Sequence, residues 1–445
     1  MKIKHAKELF EYDLDSLSRK FGFQKIDLDE LEKLKIIRKS DSDGNKYKFD
    51  YVGIVVLEKS FCFVYPKYMA KSNIEKEKEI GNNYKKFKLI LKTIDKFNSF
   101  NLTGDQIEDE NKNHFNLLQI TLNLLDYFND YELYYSEQTI LENNGEGLIL
   151  WEQTISQNIA YISQQKPIYL DLITTNEVIN ENHIIRQIHA CVLTYCCHQF
   201  SDLLDILDRE KVILTTEDID DLGSTEYLRH IIQNELRNQF VSWKHNVLIL
   251  LLNFLDQYEN INEQKTLNFF GTSNFQNVWE NVCKRVLGND LNKTLKELNL
   301  KHNTTESNTM ILKEIISKPK WNHHQVEQTL RPDIVLIKNK KLEIYDAKYY
   351  DIKLDENQLK NNPGIPDLVK QHFYGFAFEK LMQNNQIKLS KNGFLFPWDP
   401  DENEISEQQR EHKIIGQVEW SIFPSLKIEI KLMNANFLYE KYLKD

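Results

Sequence analysis

The 445-residue sequence has no CxxC pair, only 9 prolines and no apolar run long enough to cross a bilayer. Its cysteines (Cys62, Cys191, Cys196, Cys197 and Cys283) are five, an odd and scattered set. A disulfide-stapled secreted fold is therefore not expected, and a reducing cytoplasm is. Cys196-Cys197-His198 falls within a helical pattern and reads as core rather than as a zinc site. The most apolar stretch, Val247 to Leu255, is interrupted by Asn253 and is far shorter than the roughly 20 residues of a membrane span. The opening residues carry acids and no hydrophobic run, so neither a secretory signal nor a membrane partner is expected. No period of about 20–50 residues recurs, which argues against a solenoid. No G-x-x-x-x-G-K-[ST] occurs, so the chain has no P-loop with which to hydrolyse a nucleotide.

What is present is a folded, soluble composition, 41% hydrophobic and 28% charged, in a chain long enough for two or three domains. The net charge of −11 is unevenly spread. Residues 1–95 carry 21 Lys and Arg against 16 Asp and Glu, residues 96–265 carry 10 against 27, and residues 266–445 carry 25 against 24. Phosphate contact needs local basic groups rather than a basic average, so the two ends suit DNA and the acidic middle suits protein or solvent.

The element signals divide the chain similarly. Tyr47 to Tyr68 reads as two β-rich runs around a turn at Glu58-Lys59, with Pro66 ending the second. The middle is mostly helical by its 3–4 apolar spacing, with one turn at Asn143 to Gly147 leading into a strand or helix start. The polar stretch 256–266 is the expected linker. Beyond it the pattern becomes mixed: an amphipathic helix (SNFQNVWENVCKRVLG), a polar insertion, a hairpin at 331–350, a helix introduced by Pro363, Gly364 and Pro366, further strands and a terminal helix.

The hairpin RPDIVLIKNKKLEIYDAKYY can be read for register. Asn339-Lys340 serves as a two-residue turn, so Lys338 pairs with Lys341. Asp333 then stands opposite Asp346, and directly opposed residues share a face with Cβ atoms about 5 Å apart. Lys348, two residues on, points to that face, and Glu343 points to the other. Two carboxylates can hold a hard cation such as Mg²⁺, and a cation acidifies bound water and neutralises charge on a phosphodiester. The ammonium can orient that water, help it lose its proton, and stabilise the pentacovalent oxygens. The residues alone leave a second reading open, in which Asp333 and Lys348 are strand-end charges forming an ion pair.

Pro332-Asp333 followed by Asp346-Ala347-Lys348 resembles the PD-(D/E)xK nuclease signature. Many such nucleases carry a Glu on the helix before the hairpin, where Glu280 stands here, and a Gln and an aromatic on the helix after it, where Gln371 and Tyr374 stand. On their own sequence, Glu280 lies off the centre of its apolar stripe, and Leu368, Val369, Phe373, Phe376 and Ala377 form the core stripe of the second helix. A solvated Glu280 and a surface Gln371 therefore stay open. With YVGIVVLEKSFCFVYPKYM and GLILWEQTI, the layout resembles the LlaJI-type restriction endonucleases, which are McrC-like subunits. The resemblance implies Mg²⁺ or Mn²⁺, DNA, and a separate AAA+ GTPase as partner, with the N-terminal part engaging the NTPase. It implies metal ligands at Asp333 and Asp346, and catalytic roles for these with Lys348, Glu280 and Gln371.

The expected fold is α+β and multidomain. Residues 1–95 form a basic β-hairpin-containing domain for partner or DNA contact, residues 96–265 an acidic, mainly helical domain, and residues 266–445 an α/β PD-(D/E)xK nuclease core that holds its own hydrophobic centre. A stand-alone PD-(D/E)xK restriction endonuclease is the alternative, disfavoured by the acidic middle. A catalytically degenerate adaptor is a further one, disfavoured by the intact Asp333, Asp346 and Lys348.

Overall fold

The computed structural model describes residues 2–40, 43–57, 60–79, 84–102, 117–263, 268–301, 309–322, 324–325, 329–355, 358–401, 406–424 and 426–444. The chain is mixed α/β and divides into two compact units, Met1–Glu108 with Phe269–Asp445, and Asp109–Asn268. No helix among the described residues is long and apolar enough to cross a membrane.

The second unit is built on helices Leu117–Tyr131, Ile184–Gln199, Thr225–Asn238 and Ser242–Glu263, whose apolar faces bury Leu118, Leu124, Ile188, Leu228 and Leu251. Cys196 and Cys197 are buried in this helical core. The last helix continues to Glu263, through most of the stretch expected to be a linker, and residues 264–267 lie outside the described set. The unit also holds β-structure that helical periodicity does not announce. Glu137–Asn143, Ile173–Ile179 and Leu148–Ile149 form a small antiparallel sheet, and Ala160–Ser163 pairs with Lys166–Tyr169 around Gln164-Gln165. Both glutamines have positive φ, 50° and 63°, so this turn adopts the left-handed geometry without the usual Asn or Gly.

The first unit joins both ends of the chain. Strands β1 (Lys2–Lys7), β2 (Val52–Leu57) and β3 (Ser60–Tyr65) form a sheet with β4 (Asn268–Thr272), in the order β1-β3-β2-β4. The two β-rich runs pair as expected, Leu57 opposite Ser60, while the turn residues 58–59 lie outside the described set. Gly53 and Gly271 meet where β2 and β4 approach, and a Cβ on either would stand 2.2 Å from a main-chain oxygen of the other strand. Polar contacts bind the ends further. Asn73 donates to Asp399 at 2.8 Å, Lys86 pairs with Asp399 at 2.7 Å, and the hydroxyls of Tyr68 and Tyr439 lie 2.9 Å apart. The stretches expected as separate N-terminal and nuclease domains thus share one unit, because β4 completes the N-terminal sheet and Asp399 is buried among N-terminal partners.

Within that unit, α1 (Phe275–Leu287) precedes the hairpin of β5 (Ile334–Lys338) and β6 (Lys341–Ala347). Helix α2 (Ile365–Ala377), β7 (Lys388–Trp398), β8 (His412–Val418), β9 (Ile428–Asn434) and α3 (Ala435–Lys444) follow. The mixed five-stranded sheet runs β5-β6-β7-β9-β8, with β6, β7 and β9 parallel and the two edges antiparallel. The hairpin ladder pairs Ile334 with Tyr345 through to Lys338 with Lys341, and Asn339 and Lys340 take φ of 51° and 57°. That is the register expected from spacing. One face of β6, with Leu342 and Ile344, packs with Leu291, Leu312, Tyr374 and Phe378 into a single core.

Helix α2 is rolled relative to its expected stripe. It buries Gln371, His372, Tyr374 and Gly375, while Phe373 and Phe376 are exposed. Burying an amide costs little once it is hydrogen-bonded, and Gln371 donates to the side-chain oxygen of Asn392 at 2.7 Å and to the Gly393 carbonyl at 3.2 Å. The displaced rings pack on each other with centroids 5.8 Å apart.

Candidate active site

The site lies at the carboxyl ends of β6 and β7, the end of a parallel sheet where side chains from several elements converge. Asp333 immediately precedes β5, and its Oδ2 accepts the Ala347 N–H at 2.9 Å across the hairpin. Asn289 steadies that strand start: its amide donates to the Asp333 carbonyl at 2.8 Å, and its Oδ1 accepts the Val335 N–H at 3.2 Å. Asp346 ends the buried face of β6 and is 6% exposed. Lys348 follows, its main-chain N–H donated to Leu395 at 2.9 Å, its ammonium 2.7 Å from Asp346 Oδ2 and 2.9 Å from Asp367 Oδ1.

Helix α1 contributes a second pairing. Its Trp279 is fully buried and donates to the Leu395 carbonyl at 3.3 Å, which fixes the helix against the strand end. One helical turn of this surface presents Glu280 and Lys284, which pair with each other, and Lys284 Nζ reaches to 4.0 Å from Asp333 Oδ1. The structure therefore brings together Asp333, Asp346, Lys348 and Glu280. Gln371 is close by but turned to the sheet through its amide group, while its buried carbonyl oxygen has no hydrogen-bond partner.

The electrostatics follow from burial. Desolvation raises the pKa of Asp333 first, and the charges of Asp346 and Glu280 raise it further, against Lys284 and the Ala347 N–H. Asp346 is also raised, by burial above all, with Lys348 opposing and Asp367 and Glu280 adding to it. Burial alone would pull Lys348 down, but Asp346 and Asp367 outweigh it and hold the ammonium charged. The pKa of the Tyr374 hydroxyl is raised by burial first and then by the charges of Asp346 and Asp333. Glu343, as its register requires, faces the other side, where it accepts from Tyr345 at 2.9 Å and pairs with Lys391 at 3.5 Å.

Two charged residues of this cluster were not read from the sequence, Lys284 and Asp367. Both carried a signal. Lys284 stands four residues after Glu280, and Asp367, Gln371 and Tyr374 are spaced for one helical ridge.

A model of the LlaJI restriction endonuclease family matches residues 51–419. The chain belongs to that family of restriction endonucleases. The component YdjA of the type II restriction enzyme BsuMI from Bacillus subtilis (strain 168) is 28% identical over 433 residues, covering 93% of this chain and 84% of that protein. Among solved structures, a half-complex of Thermococcus gammatolerans McrB AAA+ hexamers with bound McrC matches at 12% identity and a TM-score of 0.41, over 100% of this chain and 99% of the other. The cryo-EM structure of the McrBC complex from the same organism matches at 13% identity and a TM-score of 0.26, over 64% of this chain and 87% of the other.

Proposed function

We propose that this chain is the metal-dependent endonuclease subunit of an NTP-dependent, McrBC-like restriction system that cuts foreign DNA, with a PD-(D/E)xK site at Asp333, Asp346 and Lys348. The observation that carries the reading is the meeting of two largely buried acids and an ammonium at one strand end, in a chain of a restriction endonuclease family. Buried like charges with suppressed acidity are unfavourable by themselves and are relieved by a hard cation. The donor set suits Mg²⁺ or Mn²⁺, since Mg²⁺ keeps several waters and takes one or two carboxylates. Asp333 and Asp346 are the residues that would hold it. Bound there, such a cation acidifies water and offsets charge on the phosphate.

The chain's own groups supply the rest. Lys348, held charged, orients the attacking water and stabilises negative charge on the phosphoryl oxygens. Glu280 and Lys284 border the acid pair on the α1 side, and Gln371 holds α2 to the sheet while offering its unpaired carbonyl oxygen. The partner is an AAA+ GTPase. Two points support that: this sequence has no P-loop, and the Bacillus subtilis relative is named as a component of an enzyme. The basic region 1–95 is the proposed contact with that partner or with DNA.

The test is plasmid cleavage in Mg²⁺ with the AAA+ protein and GTP. Cutting is expected with all three and is expected to disappear in Asp346→Asn. Persistent cutting by that variant would overturn the assignment.

A further inference from the structure

We propose that Asp367 is a positioning residue that gives Lys348 a second seat, so that Lys348 can yield Asp346 to a divalent cation without leaving the site. The inference rests on the endonuclease reading above and adds a residue to it. Lys348 Nζ bridges two carboxylates, 2.7 Å from Asp346 Oδ2 and 2.9 Å from Asp367 Oδ1. A carboxylate oxygen occupied by an ammonium is not free to ligate a metal at about 2.1 Å, and two cations crowding one oxygen repel. Metal entry at Asp346 Oδ2 therefore displaces the lysine from that oxygen. The Lys348 side chain is only 21% exposed, and a largely buried ammonium left without a partner is costly.

Asp367 removes that cost by its placement. It stands in the first turn of α2, where the helix dipole favours a carboxylate, its N–H donated to the Gly364 carbonyl at 3.1 Å. The helix itself cannot drift, because Gln371 ties it to Asn392 on β7 at 2.7 Å. The same plan appears on the other side of the hairpin, where Lys284 pairs with Glu280 and leans on Asp333 at 4.0 Å. Each hairpin acid thus has a lysine, and each lysine has an acid on a helix to fall back on.

The test measures Mn²⁺ binding to the full chain without DNA, from the electron paramagnetic resonance signal of free Mn²⁺. Asp367→Asn is expected to weaken binding about tenfold, since the displaced ammonium then has no charged partner. Asp367→Glu is expected to recover binding to within about threefold, because it restores a charged partner for the ammonium. In a Lys348→Gln background, Asp367→Asn is expected to change nothing, because no ammonium needs reseating. Wild-type affinity in Asp367→Asn, or the same loss in both backgrounds, would overturn the proposal while leaving the endonuclease reading intact. Wild-type protein that binds no Mn²⁺ would overturn both.

Discussion

Tyr349 donates its buried hydroxyl to the Glu8 carboxylate across 341 positions of sequence. Glu8 also accepts the Lys67 N–H at 2.9 Å, and the Lys67 ammonium sits 4.3 Å from the centroid of the Tyr349 ring. Tyr349 is the residue after Lys348. The N-terminal region is thereby bonded to the chain at the candidate catalytic lysine, and its removal is a structural event.

A fragment of residues 266–445 is accordingly expected not to fold cooperatively. It would leave β4 without its neighbour β2, and would strip Asp399, Tyr349 and Tyr439 of buried partners. Circular dichroism of the fragment should show no cooperative melt; a sharp melt near that of the full chain would contradict this.

Glu8 also predicts a pH effect. Burial raises its pKa, with the Tyr349 hydrogen bond opposing, so its protonated form is favoured in the folded state. Its contribution to stability is therefore complete below the ordinary range near pH 4.5 and is lost as pH rises through the raised value. Glu8→Gln keeps an acceptor for Tyr349 and removes the charge. Its melting temperature should gain on the wild type between pH 5 and pH 8, by about 1–2 °C for each kcal/mol in a unit of this size. An unchanged gap would show that Glu8 is not the source.

Asp333→Ala, Asp346→Ala and Lys348→Ala should each reduce DNA cleavage by about 10²–10³-fold or more, with the protein still folded. Glu343→Gln should cleave nearly as wild type, since it faces Tyr345 and Lys391 on the other side of the sheet. An inactive, well-folded Glu343→Gln would break the register argument.

Gln371→Ala is expected to behave differently from the acids. It removes donors to Asn392 and Gly393 from a fully buried position, at about 1–3 kcal/mol for the groups left unpaired. A lower urea midpoint should accompany any loss of activity. A wild-type midpoint with activity lost would make Gln371 a purely chemical participant.

Cleavage should require Mg²⁺ or Mn²⁺ and fail with Ca²⁺, which takes looser geometry and acidifies water less. Nuclease assays in each metal with excess chelator as control decide this; robust cutting in chelator would rule the mechanism out.

The hairpin register was legible in the sequence because it is local. A two-residue turn at Asn339-Lys340 and the two-residue repeat of a strand are enough to oppose Asp333 to Asp346 and to turn Glu343 away. Secondary structure with strong periodicity, such as α1 with Phe275, Val278, Trp279 and Val282, was equally legible. The small strands around Gln164-Gln165 were not, because their apolar residues, Tyr161, Ile162 and Ile168 among them, are exposed and follow no core. The roll of α2 was decided only in the tertiary structure. Phe373 and Phe376 look like core by hydrophobicity, but the sheet offered Gln371 hydrogen-bond partners and took that face instead. That roll brought Asp367 to Lys348. Contacts of this kind, like Glu8 with Tyr349, depend on which faces win the competition for burial across the whole unit, and no run of neighbouring residues contains that sum.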